Sequence, residues 1–311
     1  MTHRHCATAF GIRWRADLPL TEFVQTQAGE AAPPLGEVEV RRIASPVERQ
    51  PLRSVNRGFV YADGIRLDWK SEAMFDMFDG ERVDYCPGER WRGALPSSFY
   101  STVAALTLAW RGAVPLHASA VEIGGRAVLI AGPSGAGKSS LATRLIALGA
   151  KFVADDLTVV RMRSGGYPID SFPGRPAIRL HADSAALLSA HSCEPAAGDA
   201  RGKWLLRPVE RTSRPSLPLG AILLLERNRG SSLAGGGLAA LASNLFRPKW
   251  LAALPNHASI RRDLLRIAAS VPIRIFQAIE TFDPLDEARR GEQAMTLLGA
   301  ALKSGDKRSV P

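Results

Sequence analysis

The stretch GPSGAGKSSLATRLIALGAKFVADD, residues 132–156, predicts a glycine-rich loop, a helix and a strand that ends in two acidic residues. The apolar run AVLIA precedes it and has the composition of a buried strand. A strand, a glycine-rich turn, a helix and a second strand in this order indicate an α/β fold. They also predict that the loop and the acidic pair meet at one edge of the sheet.

The glycine-rich loop (residues 132–139, GPSGAGKS) satisfies the pattern G-x-x-x-x-G-K-[ST] between a strand and a helix, the context that the pattern requires. Glycines let backbone amides approach phosphate groups, and the helix N-terminus adds partial positive charge. Lys138 is expected to reach the β- and γ-phosphates of ATP, and the Ser139 hydroxyl to bind Mg²⁺. The predicted nucleotide-binding residues are Gly132, Ser134, Gly135, Ala136, Gly137, Lys138, Ser139 and Ser140.

The acidic pair, Asp155 and Asp156, should emerge where the phosphates lie. One carboxylate can hold Mg²⁺ while the other takes a proton from an attacking hydroxyl, which is the division of labour that a kinase needs. The sequence does not decide which aspartate has which role. Both aspartates are candidate catalytic residues. Ser139 and Asp156 are the candidate metal ligands.

Composition narrows the class of protein. The 311 residues are 46% hydrophobic, which is enough apolar material for one or two packed domains. The formal charge of +10 is spread through every segment instead of forming one basic run. This distribution argues against nucleic-acid binding and fits an acidic substrate, such as ATP itself or an acidic peptide.

Three further features predict a cytoplasmic protein without a membrane segment. Cys6, Cys86 and Cys193 lie far apart and form no CxxC pair, so neither a disulfide framework nor a zinc site is indicated. The first twenty residues are broken by charges and lack the apolar core of a signal peptide. The longest apolar run, residues 102–110, is well short of the roughly 20 residues that a spanning helix needs. Homo-oligomer formation stays open.

The pattern along the chain predicts two domains. Residues 1–95 are expected to form a small β-rich N-terminal domain, with a strand at 37–43 and a hairpin at 58–71 around an Asp-Gly turn. Residues 96–111 are expected to form a connecting helix, and residues 112–311 the P-loop domain. Within it we predict a Gly-Gly hairpin turn at 124–125, a turn at 164–167, buried strands at 221–226 and 271–276, and helices at 261–270 and 284–303.

Two segments together, PLHASAVEIGGRAVLIAGPSGAGKSS (115–140) and FVADD (152–156), resemble the HPr kinase/phosphorylase family and its relatives. Members have a histidine opening the strand before the loop, then the loop, one short helix and an Ala-Asp-Asp at the end of the next strand. Lys138 lies 21 residues after His117 and 17 before Asp155, so no insertion is needed to match the family spacing. The resemblance covers roughly residues 115–182.

This resemblance implies a fold of the HPr-kinase/PEP-carboxykinase type that uses ATP and Mg²⁺. It implies that His117 and Lys138 are active-site residues, that Ser139 and an acidic partner bind the metal, and that the aspartate pair supplies the base. The implied partner is a peptide or protein with a serine acceptor.

One departure concerns the segment after the Asp-Asp strand. Bifunctional members have a Glu-Ile-Arg-Gly-like segment there, in which the glutamate serves magnesium and the loop serves dephosphorylation. This chain has Ala177 followed by Ile-Arg-Leu, so phosphorylase activity is in doubt. The segment looks closer to HPr-kinase-like enzymes of peptide natural products, such as lasso-peptide kinases. Arg175 and Arg179 are candidates to steady a phosphate or a substrate carboxylate.

Other classes with the same loop fit less well. A transporter ATPase should show an LSGGQ-like signature and a small GTPase an N/T-K-x-D motif, and neither occurs in the sequence. A small-molecule kinase remains an alternative, because phosphorylation of any hydroxyl needs the same base and metal. A non-enzymatic ATP-binding regulator is the alternative from another class, and ATP consumption with a hydroxyl substrate would separate the two.

Overall fold

The structure is a computed structural model that describes residues 5–27, 32–69, 71–163, 168–181, 192–196, 202–226, 236–278 and 284–306. It is a mixed α/β protein with several sheets. The chain divides into two compact units, Met1–Pro115 with Phe246–Arg262, and Leu116–Leu245 with Asp263–Pro311. The predicted domains put residues 246–262 in the second domain, whereas these residues belong to the first compact unit.

The strands and helices of the described residues are as follows. The strands are β1 (His5–Ala9), β2 (Ile12–Ala16), β3 (Val24–Gln25), β4 (Glu37–Arg42), β5 (Arg53–Ser54), β6 (Gly58–Tyr61), β7 (Gly64–Trp69), β8 (Ala73–Phe78), β9 (Arg82–Pro87), β10 (Val114–Leu116), β11 (Ala118–Ile123), β12 (Arg126–Ala131), β13 (Lys151–Ala154), β14 (Thr158–Met162), β15 (Ile169–Phe172), β16 (Ile178–Leu180), β17 (Ser192–Pro195), β18 (Trp204–Arg207), β19 (Leu217–Glu226) and β20 (Ile273–Gln277). The helices are a π-helical segment (Phe99–Val103), α1 (Ala104–Trp110), α2 (Lys138–Ala147), α3 (Gly236–Ser243), α4 (Pro248–Leu251), α5 (His257–Ser270) and α6 (Pro284–Asp306).

The first unit contains a sheet in the order β3-β1-β2-β4-β9-β8-β7-β6-β5. Val38 and Val40 of β4 are fully buried while Glu37 is exposed, so the alternation in the sequence marks a strand with one buried face. The predicted hairpin at 58–71 is the antiparallel pair β6–β7. The predicted connecting helix is the π-helical segment with α1, and its Phe99 packs edge-on against Trp14 at 5.7 Å between ring centroids.

The second unit contains a sheet with the strand order β14-β15-β19-β12-β11-β13, in which β20 also pairs with β19. β12 runs parallel to β19, and β11 runs antiparallel to both β12 and β13. Ala118 therefore faces Ala131, and Ala120 faces Ala154. This register brings the start of β11 to the edge where β12 and β13 end, which is the edge that carries the candidate site.

The core of this unit explains why its strands are so apolar. Leu141 and Leu145 of α2 and Leu298 of α6 pack with Val128 and Ile130 of β12 in one hydrophobic cluster. Every residue of β12 after Arg126 is buried, which is why the run AVLIA is apolar without alternation. Because β12 is packed in the core, its carboxyl end fixes the position at which the following loop begins.

Two predictions about the hairpin and the late strands have different outcomes. Gly124 and Gly125 have φ of +58° and +76° between the paired residues Ile123 and Arg126, so the predicted two-residue turn is confirmed. The prediction of a buried strand near 271–276 is wrong in burial. β20 is half-buried, with Ile275 40% exposed, because in the described residues it pairs with β19 alone.

The sequence also predicts a turn at 164–167, cysteines without disulfides and no membrane segment. The turn predicted at 164–167 lies outside the described residues. Cys6, Cys86 and Cys193, all within the described residues, form no disulfide bond. Among the helices that the structure describes, none has the length and apolarity to cross a bilayer.

Candidate active site

The glycine-rich loop leaves the end of β12 with backbone conformations that need glycine. Gly132 has φ of +151°, and a Cβ atom there would lie 2.7 Å from the carbonyl oxygen of Leu225. Gly137 has φ of +89° and directly precedes α2. Residues 133–135 at the tip are exposed. The loop is thus seated against β19 at its start and open to solvent at its tip.

Lys138 lies in the first turn of α2 and points back into the loop. Its Nζ donates hydrogen bonds to the carbonyl oxygens of Gly132, at 2.8 Å, and Pro133, at 3.0 Å. The residue is only 7% exposed. Burial lowers the pKa of its ammonium group, while the carboxylates of Asp155 and Asp156 oppose this shift. The lysine is therefore a desolvated cation held close to both aspartates.

Asp155 is buried and collects three hydrogen bonds. The hydroxyls of Ser119 and Ser139 donate to its Oδ1 at 2.6 Å and 2.8 Å, and the backbone N–H of Arg179 donates to its Oδ2 at 3.0 Å. The residue is 3% exposed. A carboxylate removed from water in this way needs such donors to offset the loss of hydration. Asp155 is thus fixed beside the serine that closes the loop.

Asp156 is oriented differently from its neighbour. Its φ is +67°, and the N–H of Leu157 bonds to the carbonyl of Asp155, which makes a γ-turn centred on Asp156. Asparagine and aspartate tolerate this left-handed region better than other residues with a Cβ, although strain remains. The Asp156 side chain is 37% exposed, in contrast to the buried Asp155.

The side chains of His117 and Arg175 both lie beside Asp156. His117 Nδ1 donates to the backbone carbonyl of Asp156 at 3.0 Å and lies 3.4 Å from its Oδ1. Arg175 Nη2 lies 3.6 Å from its Oδ2, and the Arg175 side chain is 6% exposed. The carboxylate of Asp156 is thereby held between an imidazole and a buried guanidinium, with one face open.

The structure brings together most of the residues predicted from the sequence. His117, Lys138, Ser139 and the two aspartates converge at one edge of the sheet. Arg175 contacts Asp156 instead of standing free for substrate, and Arg179 contacts Asp155 through its backbone. The remaining loop residues follow the loop path: Ser134 and Gly135 at the exposed tip, Ala136 buried below it, and Ser140 in the first turn of α2.

Sequence reasoning missed two buried polar residues at this edge. Ser119 is the second residue of β11, two positions after His117, and a buried serine inside the apolar run ASAVEI was a detectable signal. Asn244 accepts a hydrogen bond from the N–H of Gly132 through its Oδ1 at 2.8 Å. It lies 112 residues away along the chain, and no local pattern marks it.

The donor atoms of the site suit a magnesium ion. Mg²⁺ prefers oxygen ligands and is typically bound by one or two carboxylates together with substrate phosphates. The hydroxyl of Ser139 and the carboxylates of the aspartate pair offer such oxygens beside the loop. Within the described ranges, no three His, Cys, Asp or Glu side chains form a metal-binding group by themselves.

One family model and one solved structure are similar to parts of this chain. A family model described as SynChlorMet cassette protein ScmC matches residues 98–194, which contain the glycine-rich loop and the aspartate pair. The chain is also similar to the structure of the Hpr(Ser) kinase/phosphatase from Coxiella burnetii, with 18% identity over 39% of this chain and 70% of that chain and a TM-score of 0.25. The comparison with curated proteins gives no match.

Proposed function

We propose that this protein is an ATP-dependent kinase that transfers a phosphoryl group to a serine hydroxyl of a peptide or protein. The observation that carries the proposal is the contrast between the two aspartates. Asp155 is buried and bonded to the loop serine Ser139, whereas Asp156 is partly exposed beside His117 and Arg175. A kinase needs a metal-side carboxylate and a separate base, and these two environments suit the two roles.

The metal side of the proposed site is built from Ser139 and Asp155. The sequence predicts Ser139 and Asp156 as the metal ligands. In the structure, however, the Ser139 hydroxyl bonds to Asp155 Oδ1. The proposal therefore gives Mg²⁺ to Ser139 and Asp155, with the Asp155 carboxylate oriented by Ser119 and the Arg179 N–H. Bound Mg²⁺ would neutralise charge on the β- and γ-phosphates.

The base side is built around Asp156. Its exposed carboxylate is open to an acceptor hydroxyl, and its γ-turn fixes the direction of the side chain. Arg175 Nη2 lies 3.6 Å from Oδ2 of this carboxylate and helps to hold it in place. His117 holds the backbone carbonyl of the same residue. These contacts orient the base before substrate arrives.

Lys138 supplies the positive charge for the transferring group. In the described structure its Nζ bonds to two loop carbonyls, and bound phosphates would offer it anionic oxygens instead. In the proposed reaction the serine oxygen bonds to the γ-phosphorus as Asp156 takes the hydroxyl proton. The bond from that phosphorus to the β–γ bridging oxygen breaks, and ADP leaves.

The test of the proposed function is phosphoryl transfer to peptides. The protein, Mg²⁺ and ATP labelled in its γ-phosphate are incubated with a degenerate peptide library that has one central serine, and in parallel with the same library carrying alanine. We expect label only in the serine library, recovered as phosphoserine by mass spectrometry. The Asp156→Asn variant should bind nucleotide but leave the serine library unlabelled.

Two outcomes would contradict this proposal and favour another one. Label found only in small hydroxyl compounds would indicate a small-molecule kinase. Tight binding of MgATP with no transfer and no ATP consumption would indicate an ATP-binding regulator.

A further inference from the structure

Asn244 links two parts of the candidate site that are far apart in sequence. It follows α3 and is 6% exposed. Its Oδ1 accepts the N–H of Gly132, the first residue of the glycine-rich loop, at 2.8 Å. Its backbone carbonyl accepts the N–H of His117 at 2.7 Å, next to an antiparallel bridge between Leu116 and Leu245. One residue thus meets both the loop and the histidine.

The other end of the Asn244 amide is also occupied. Its Nδ2 donates to the carbonyl of Ala240 at 2.7 Å, one turn back in α3. This bond fixes which amide atom faces Gly132, because the nitrogen is held by the helix and the oxygen by the loop. The side chain is therefore locked in one orientation by α3.

The buried N–H of Gly132 requires a hydrogen-bond acceptor. Gly132 is buried, and its φ of +151° places it where the chain leaves β12 against the backbone of Leu225. A buried N–H without an acceptor is unfavourable, so loss of the Asn244 oxygen should shift the start of the loop. The carbonyl of Gly132 is also a partner of Lys138 Nζ, which connects this position to the lysine.

We propose that Asn244 is a positioning residue for phosphoryl transfer, which fixes the start of the glycine-rich loop and the backbone of His117 relative to each other. This inference rests on the proposed function for its effect on nucleotide, but not for its effect on the loop. Asn244 acts through Gly132 and touches no reacting atom. Removing its side chain should weaken nucleotide binding and leave the fold intact.

The experiment compares Asn244→Ala with Asn244→Asp and with the control Asn256→Ala. Asn256 donates its amide to the carbonyls of Ala109, at 2.8 Å, and Trp110, at 3.2 Å, so its loss removes similar bonds within the compact unit that does not contain the loop. The Asp variant keeps an oxygen acceptor for Gly132 and loses the donor to Ala240. Thermal unfolding reports whether each variant folds.

The first readout is hydrogen–deuterium exchange of the nucleotide-free protein, followed by mass spectrometry. We expect faster exchange in the Asn244→Ala peptide that contains Gly132, and near-wild-type exchange there in Asn244→Asp and Asn256→Ala. Unchanged exchange of that peptide in Asn244→Ala would overturn the inference. Equally fast exchange in all three variants would also overturn the inference, because it would show that Asn244 affects only the overall stability of the protein.

The second readout is the dissociation constant of ADP with Mg²⁺, measured by calorimetry. We expect about tenfold weaker binding for Asn244→Ala and no change for Asn256→Ala, the size expected for loss of one buried hydrogen bond at the site. Equal affinity in wild type and Asn244→Ala would overturn the inference. If wild type binds no nucleotide, the proposed function fails, and the exchange measurement alone decides whether Asn244 positions the loop.

Discussion

The hydroxyl of Ser139 donates a 2.8 Å hydrogen bond to Oδ1 of Asp155, which joins the end of the glycine-rich loop to the residue that follows strand β13. The same carboxylate oxygen accepts a bond from Ser119. Because Asp155 is thus bonded to the loop, the proposed function assigns the partly exposed Asp156 to the acceptor hydroxyl.

Replacing Lys138 by methionine should abolish most phosphoryl transfer while preserving the fold. The methionine keeps the apolar stem buried but removes the charge that would stabilise the transferring group. Loss of one such preorganised group typically lowers turnover by about 10²- to 10³-fold. The measurement is transfer from labelled ATP, with Lys151→Met as the control because Lys151 is an exposed lysine on β13. Wild-type turnover in Lys138→Met would contradict the assignment.

Removing the Ser119 hydroxyl should raise the magnesium concentration needed for nucleotide binding. Ser119→Ala leaves Asp155 with one donor fewer in a buried site, which costs about 1–3 kcal/mol and loosens the carboxylate. Thermal unfolding and a magnesium titration of ADP binding measure the two effects. Ser171→Ala is the matched control, since Ser171 is fully buried but its hydroxyl has no hydrogen-bond partner in the described structure. Equal magnesium dependence in both variants would count against a role for Ser119.

Nucleotide binding should take up protons at alkaline pH. Burial lowers the pKa of Lys138 below its ordinary value of 10.5 in the free protein, and bound phosphates would raise it again. Between these two pKa values the complex holds more protons than the free protein, so affinity falls as pH rises through this window. Calorimetry in buffers of different ionisation enthalpy measures the uptake. The account fails here if Lys138→Met shows the same uptake as wild type.

The reverse reaction, phosphorolysis of the product by inorganic phosphate, should be absent or slow. In the bifunctional enzymes that the sequence resembles, the loop after the Asp-Asp strand serves dephosphorylation and its glutamate serves magnesium, whereas Ala177 stands in that segment here. The test incubates phosphorylated product with the protein, Mg²⁺ and inorganic phosphate and measures pyrophosphate. Release at a rate comparable to forward transfer would show that the missing glutamate is dispensable.

The residues of the site that the sequence could predict are those with local signals. The loop pattern locates Lys138 and Ser139, and the strand that ends at Asp155 places the pair at the right edge. The roles of the two aspartates could not be predicted, because they depend on the γ-turn at Asp156 and on the burial of Asp155. These are properties of tertiary packing, and adjacent identical residues give no local signal that separates them.

The fold shows the same limit. Periodicity and turn residues predict β4, the β6–β7 hairpin and the Gly-Gly hairpin, since each depends on neighbours in sequence. The pairing of β12 with β19, and the contact of Asn244 with Gly132, join residues that are about a hundred positions apart. Such contacts come from the packing of the whole unit, so a single sequence did not predict them.

The central claim is that Asp155 serves the metal and Asp156 the acceptor proton. The most direct measurement is a magnesium titration of ATP binding and of phosphoryl transfer in wild type, Asp155→Asn and Asp156→Asn. We predict that Asp155→Asn needs at least about tenfold more Mg²⁺ and is partly rescued by it, as expected for loss of one ligand or its orientation. Asp156→Asn should bind MgATP like wild type and transfer nothing at any Mg²⁺ concentration. Identical magnesium titrations in the two variants, or near-normal transfer by Asp156→Asn, would contradict the account.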